Sequence, residues 1–377
     1  MRGAAGTTPL AAILIDEIRA RGPITFAAYM EACLYHPRHG YYTKADQRPR
    51  RDYFTSADAR PIFGCLLARQ FRQMWVVFGR PEEFQLVEAG AGTGELAGQI
   101  LDFAAESLPQ FYGGLRYVAE ERSESRRAAH AELLAAHLGA GRASSAADLP
   151  SSVPCGCIFS NELLDAMPVH RVVQEGGELR EIHVGAGKNG LCEEVGSPSS
   201  PRLAEYLAQR GIALREGQQA EICLAACRWI EEAGRAMQRG FVLTIDYGHE
   251  ARELYDERHM RGTLLAYGNH RADEDYFRAP GEQDLTAHVD FTSLDICGRR
   301  VGLARTGFAS QTNFLLALAR HSNFADIQAE GQSEAEHQRR RLLLKTLIHP
   351  EGMGETFQVF VQHKGIECPR LIGLEPL

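Results

Sequence analysis

The sequence predicts an α/β fold: a Rossmann-like sheet with an N-terminal helical cap and inserted lid segments. Three observations predict it. Short apolar runs alternate with amphipathic helical stretches, at Phe84-Gln-Leu-Val-Glu88, Arg116-Tyr-Val-Ala-Glu120, Gly156-Cys-Ile-Phe-Ser160 and Phe241-Val-Leu-Thr-Ile-Asp246. The first run leads directly into Glu88-Ala-Gly90-Ala-Gly92-Thr-Gly94 and then into the helix face of Leu96, Ile100 and Leu101. Near the end, Phe357-Gln-Val-Phe-Val-Gln-His363 alternates with the period of a strand. Strands that alternate with helices make parallel sheets, and such sheets hold ligands at the carboxyl ends of their strands.

In chain order, Thr8-Pro9 followed by Leu10, Ile13, Leu14 and Ile18 predicts a capped helix with proline in its first turn, ended by Gly22-Pro23. Phe26, Tyr29 and Met30 begin a second helix that closes before His36-Pro37, and His39-Gly40-Tyr41-Tyr42 reads as a turn. Residues 43–53 are polar and read as a surface loop, and a third helix fits Ile62 to Phe78. The expected division is a cap over residues 1–80 and a sheet domain over 81–377, with insertions near 169–235 and 250–290. After Glu120 an alanine-rich helix runs to about Leu138. Val169 to Val173 and Leu179 to Val184 flank Gly176-Gly177, a hairpin signal. Gly196 to Pro201 reads as a connector. Residues 250–290 are rich in Tyr, Arg and Asp, and a long excursion at the ligand end of a sheet is where lids and substrate walls are built.

With 377 residues the chain can bury one large core or two modest ones. No run of about 18 apolar residues is present, so no membrane span is expected. The segment Met1 to Pro9 resembles neither a secretory signal nor a transit peptide, so the expected location is the bacterial cytoplasm, or the mitochondrial matrix for a eukaryotic chain. The nine cysteines form no CxxC pair, which indicates neither a disulfide framework nor a metal site. A net charge of −8 argues against a general nucleic-acid binder, although Arg48, Arg50 and Arg51 cluster beside Lys44.

The glycine motif carries the first piece of chemistry. Gly90, Gly92 and Gly94 let the backbone turn sharply and approach a ligand closely. Glu88 precedes them, where an acid suits a cationic ligand such as S-adenosylmethionine and repels a pyrophosphate. The spacing G-x-G-x-G points the same way, but a G-x-G-x-x-A variant starts at Gly92, so a dinucleotide stays open at this point. Glu120, at the end of the next strand, suits the two hydroxyls of a ribose in either case.

After the next strand comes Ser160-Asn161-Glu162-Leu-Leu-Asp165-Ala-Met-Pro168. The N/D-P-P-Y/F tetrapeptide used on nucleobase amines is absent, and two carboxylates and an amide stand in its place. Acids facing a methyl donor suit a guanidinium, which they bind bidentately. The catalytic candidates are therefore Asn161, Glu162 and Asp165, with helix capping as the plainer role for Asp165. Asp246 and Tyr247 end the following strand and are candidate substrate contacts. In Gly281-Glu-Gln-Asp284-Leu-Thr-Ala-His288-Val-Asp290-Phe291, Asp284 and Asp290 are substrate-binding candidates and His288 a catalytic one. Asp290 fits equally well as the N-cap of a following helix.

Together these segments resemble the MidA-type methyltransferases, whose mitochondrial member is a complex I assembly factor. The matching stretches include Gly22-Pro-Ile-Thr-Phe26, Tyr35-His-Pro37, Gly40-Tyr-Tyr42 and Asp52-Tyr-Phe-Thr55. The glycine motif, Ser160 to His170, Ile245-Asp-Tyr-Gly248, Gly281 to Phe291 and Gly352-Met-Gly354 continue the match. Arg51 and Ala91 stand where the family commonly has Gly and Pro. The resemblance implies a class I methyltransferase fold with an antiparallel last strand and S-adenosylmethionine as cofactor. It also implies a protein substrate, an arginine of the complex I subunit beside the quinone site. The competing readings are a small-molecule methyltransferase and a non-catalytic assembly factor. Oligomeric state is not legible.

Overall fold

The structure, a computed structural model, describes residues 8–43, 62–268, 271–324 and 356–377, with isolated positions between 338 and 348. The chain divides into two units. One comprises residues 1–53, 164–229 and 248–294, the other residues 54–163, 230–247 and 295–377. This differs from the expected boundary at residue 80. The helix Ile62–Val77 is apolar around most of its circumference, and Phe63, Leu67, Phe71 and Met74 are buried in the core of the sheet unit. The basic cluster from Lys44 to Arg51, Asp52-Tyr-Phe-Thr55 and Gly352-Met-Gly354 lie outside the described residues.

Among the described residues the main path of the sheet runs through β1 (Phe84–Ala89), β2 (Leu115–Glu120), β3 (Ala143–Ala146), β4 (Gly156–Asn161), β5 (Gly240–His249), β6 (Ala304–Ser310) and β7 (Phe357–Lys364). Their order is β6-β7-β5-β4-β1-β2-β3. The run from β5 to β3 is parallel, and β7 lies antiparallel between β5 and β6. This is the expected Rossmann-like sheet with its antiparallel last strand. Central strands covered on both faces read as near-continuous apolar runs. Cys157, Ile158 and Phe159 of β4 and Leu243 and Ile245 of β5 are all buried. The alanine-rich stretch after β2 is two helices, Glu124–Leu133 and Ala135–Gly139, rather than one.

The other unit opens with the helices Pro9–Arg21 and Phe26–Tyr35, capped by the hydroxyls of Thr8 and Thr25. Leu10, Leu14 and Ile18 are buried as expected, whereas Ile13 is exposed. The hairpin at Gly176-Gly177 joins His170–Glu175 to Glu178–Gly187. Ile24–Thr25, Gly190–Gly196 and Gln219–Ile222 complete that antiparallel sheet. Residues 250–290 hold a second, three-stranded sheet of Leu265–Gly268, Arg271–Asp273 and Asp284–Thr286. Arg171 ties the unit together. It is buried, bonds Glu193, Gln219 and the Tyr276 hydroxyl, and its guanidinium lies 5.2 Å from the Phe26 ring centroid and 5.0 Å from that of Tyr276.

One acid sits inside the sheet unit. Glu88, near the end of β1, accepts a 2.6 Å hydrogen bond from the Tyr117 hydroxyl on β2 and is 4% exposed. Burial, only partly offset by that bond, pushes its carboxyl up to about 8. The folded value lies above the unfolded one, so the native state holds this proton more tightly. Its contribution is full below the ordinary carboxyl range and is lost as pH rises through about 8. Glu88→Gln keeps the acceptor for Tyr117 and has no proton to lose. The variant is expected to be more stable than the parent by about 1–3 kcal/mol at pH 8.5, with the gap closing towards pH 5. Parallel stability curves for the two proteins in urea across that range would show that Glu88 titrates as an ordinary carboxylate.

Candidate active site

In the sheet unit the carboxyl ends of β1, β2, β4 and β5 bring the candidate residues together. The glycine loop leaves β1 and enters the helix Glu95–Ser107. Its three glycines have φ of +71° at Gly90, +56° at Gly92 and +87° at Gly94. Two of its backbone N–H groups are taken by acid side chains from the end of β2. Gly90 donates to Glu120 Oε2 at 3.1 Å, and Gly92 donates to Glu121 Oε2 at 2.9 Å. Burial pushes the Glu120 carboxyl up to about 7, against the pull of the Gly90 N–H. Glu88, two residues before Gly90, is a buried acid rather than an available charge at neutral pH. That changes the reason for its place in the motif. It anchors β1 to β2 instead of attracting a cation.

Beyond β4 the chain makes a sharp turn at Glu162, whose φ is +53°. A non-glycine residue held in this region costs of order 1–3 kcal/mol and persists only where its surroundings enforce it. Here they do. Glu162 N–H donates to Ile245 O at 3.0 Å, and Leu163 N–H donates to Asp246 Oδ2 at 3.2 Å. Asn161 Nδ2 donates to Glu162 Oε1 at 3.1 Å. The turn also packs on the glycine loop, since a Cβ at Gly90 would lie 2.7 Å from Leu163 Cδ1. Sequence reasoning picked out Asn161 and Glu162 but not the strain, which no residue type advertises.

Asp246 was expected as a substrate contact. It is fully buried, and its second oxygen accepts from Tyr247 N–H at 2.9 Å, so both oxygens serve the backbone. Tyr247 stacks on Phe357, with ring centroids 3.9 Å apart. These two residues shape the turn.

The other unit holds the remaining candidates. No helix begins at Asp165; it is a buried residue of an irregular segment, and its carbonyl accepts from Ala287 N–H at 3.0 Å. Asp284 is fully buried, with both oxygens 2.8 Å from the Tyr42 hydroxyl. Burial, then Asp165 and Asp284, push the Tyr267 phenol up, which places both acids near one ring. The expected grouping of His288 with Asp284 and Asp290 is not formed. Asp290 caps the helix Phe291–Arg299 through Ser293 N–H at 3.1 Å and binds Tyr206 and Arg210 at 2.9 and 3.1 Å. It is therefore a structural residue, committed to a buried pair. The His288 ring lies instead beside His249 and His259, with centroids 5.4 and 6.4 Å away. Burial first, then those two rings, push it down to about 4, so it is neutral at physiological pH. Alternation along a strand suggested the acids as neighbours; the backbone between Asp284–Thr286 and Val289–Asp290 breaks that alternation. His249 and His259 were missed because nothing in the local sequence connects them to His288.

The residues of the sheet unit fit S-adenosylmethionine. A Cβ at Gly92 would meet nothing within 4 Å, leaving open space beside the loop. Glu120 presents a carboxylate at the strand end, and the N–H groups of Gly90 and Gly92 face the carboxylates of Glu120 and Glu121, which would repel a pyrophosphate.

Comparison with known proteins agrees. A family model described as "Putative S-adenosyl-L-methionine-dependent methyltransferase" matches residues 66–309. The human mitochondrial protein arginine methyltransferase NDUFAF7 is 29% identical, over 94% of this chain and 83% of its own length. Its Danio rerio counterpart is 30% identical, over 92% and 85%. A protein from Burkholderia thailandensis, solved with S-adenosyl-homocysteine bound, is 31% identical and superposes with a TM-score of 0.85, covering 97% of this chain and 94% of that one. No described helix is long and apolar enough to cross a membrane. With the family model spanning most of the chain and relatives of 30% and 31% identity matching nearly all of it, this chain belongs to the MidA-like family of S-adenosylmethionine-dependent methyltransferases.

Proposed function

We propose that this chain methylates an arginine side chain of a protein, with Glu162 as the acid that receives the guanidinium. The observation that carries the reading is the Glu162 turn: a carboxylate in a left-handed backbone conformation, fixed by Ile245 and Asp246 and packed on the glycine loop. Strain of this kind is sustained where a side chain must be aimed. The relatives named as protein arginine methyltransferases support the same acceptor, and the resemblance points to a complex I subunit.

S-adenosylmethionine supplies an electrophilic methyl group on a sulfonium and leaves as the neutral thioether. Gly90, Gly92 and Gly94 give it a close backbone approach, and Glu120 accepts from its ribose hydroxyls. An arginine guanidinium is protonated at all ordinary pH values and is a poor nucleophile while its charge is delocalised. A carboxylate hydrogen-bonded to two of its nitrogens fixes the plane, concentrates electron density on the third and collects the proton released when the new C–N bond forms. Asn161 holds Glu162 Oε1 in place for that task.

Three measurements test this. Incubated with methyl-labelled S-adenosylmethionine and a methylation-naive lysate, the parent protein is expected to label arginine in a protein, read by mass spectrometry. Glu162→Gln should lower that labelling by roughly 100-fold or more while S-adenosyl-homocysteine binds within about threefold of the parent. Label only in small molecules would overturn the protein acceptor, and undiminished transfer by the variant would remove Glu162 from the reaction.

Ribose hydroxyls favour the ionised form of Glu120, and that carboxyl starts at about 7. Cofactor binding should therefore release a proton below that value, and affinity should rise with pH through about 6 to 8 and then level off. Calorimetry in buffers of different ionisation enthalpy measures the proton; a flat affinity with no proton released would place the ribose elsewhere. Finally, Gly92→Val fills the open space beside the loop and is expected to abolish S-adenosyl-homocysteine binding. Binding at parental affinity would move the cofactor away from this loop.

A further inference from the structure

Gly92, the middle glycine of the loop, is gripped from both sides by side chains that the glycine motif does not include. Its N–H donates to Glu121 Oε2 at 2.9 Å, and the other oxygen of Glu121 accepts from Ser123 N–H at 2.8 Å. Its carbonyl lies 2.9 Å from His130 Nε2. A carbonyl oxygen only accepts, so Nε2 carries the proton. Nδ1 then has a lone pair, and it lies 2.8 Å from Ser145 Oγ, whose hydroxyl donates to it. The tautomer of His130 is thus set by the Gly92 carbonyl, and Ser145, on the outermost strand β3, satisfies the nitrogen left over.

His130 is 1% exposed, on the helix Glu124–Leu133 that follows β2. Its ring reaches the loop only because Gly94 has no side chain; a Cβ there would lie 3.0 Å from His130 Cδ2. The grip therefore explains a requirement for glycine at Gly94 that is distinct from the open space at Gly92. Helix and strand β3 are joined to the loop through one imidazole, and the end of β2 through one carboxylate.

We infer that His130, Ser145 and Glu121 form a positioning triad that sets cofactor affinity by fixing the peptide groups on either side of Gly92. None of the three needs to touch the cofactor. A loop held in its binding geometry before the ligand arrives does not lose conformational freedom when it binds, so the effect falls on affinity. The triad acts on the family's shared reaction and is independent of which acceptor is methylated.

The test is a set of isosteric substitutions, read by calorimetric titration with S-adenosyl-homocysteine and by thermal melting. His130→Phe keeps a ring and loses the donor; it is expected to weaken binding roughly tenfold. His130→Gln places an amide N–H where Nε2 stands and is expected to bind within about threefold of the parent. Ser145→Ala, on the surface end of the chain of bonds, should weaken binding about two- to fivefold with no loss of melting temperature. Glu121→Gln, which replaces one of two accepting oxygens by a donor, should weaken binding by a similar factor, and combined with His130→Phe the two effects should be less than additive. Rescue by Gln but not Phe is what a purely structural histidine would not produce. Equal binding by His130→Phe and the parent overturns the proposal, as does equal weakening in Phe and Gln with a matching fall in melting temperature. Should His130→Phe fail to fold, parental affinity in Ser145→Ala overturns it alone.

Discussion

The backbone at the carboxyl edge of a parallel sheet runs out of ladder partners, and in this protein acidic side chains take their place. Where β1 and β4 end, the chain turns through Gly90, Gly92 and Leu163, whose N–H groups have no strand beside them. Glu120, Glu121 and Asp246 accept those hydrogen bonds. An N–H left unpaired in such a place costs of order 1–3 kcal/mol, so each turn exists in its observed form only because a carboxylate from the neighbouring strand is there. The glycine loop and the Glu162 turn are both held in this way, and the contact of Leu163 with Gly90 couples them.

This constraint explains which parts of the site could be read from sequence. Acids at strand ends are visible as letters, and the sequence places Glu88, Glu120, Glu162 and Asp246 at the correct edge. What it does not show is which way each carboxylate is committed. Asp246 is spent on two backbone N–H groups, Asp290 on a helix cap and Arg210, and Glu88 on the Tyr117 hydroxyl. Glu88 and Asp246 looked like ligand groups for the same reason, an acid at a strand end, and Asp290 because it stands in a densely polar segment. Glu121 shows the converse. It stands beside Glu120 and is not among the candidates read from the sequence, yet it holds the middle glycine.

The fold was more legible than the site because its signals are periodic and repeated. The strands β1, β2, β4, β5 and β7 are continuous or alternating apolar runs, and five such signals suffice to define the sheet. β3, Ala-Ser-Ser-Ala, and β6, Ala-Arg-Thr-Gly-Phe-Ala-Ser, were missed. Both lie at the sheet's two edges, where only one neighbour strand supplies hydrogen bonds and small or polar residues suffice. The unit boundary was missed for a different reason. The chain leaves the sheet unit after Leu163 and again after Tyr247, each time beyond a central strand, and no change of composition marks these points.

The ionisation states fit the division of labour between charge and shape. Methyl transfer from a sulfonium moves positive charge, so a site for it has to manage its own charge. Burial does part of this by disfavouring the ionised form of acids. It pushes Glu88 up to about 8 and Glu120 up to about 7. Glu88 is then a neutral strut between two strands. A chain with a net charge of −8 thus keeps the interior of its glycine-loop region from becoming a cluster of mutually repelling carboxylates. Glu88, Glu120 and Glu121 otherwise crowd one turn, and the repulsion that Glu121 exerts on both of the others is part of what raises them.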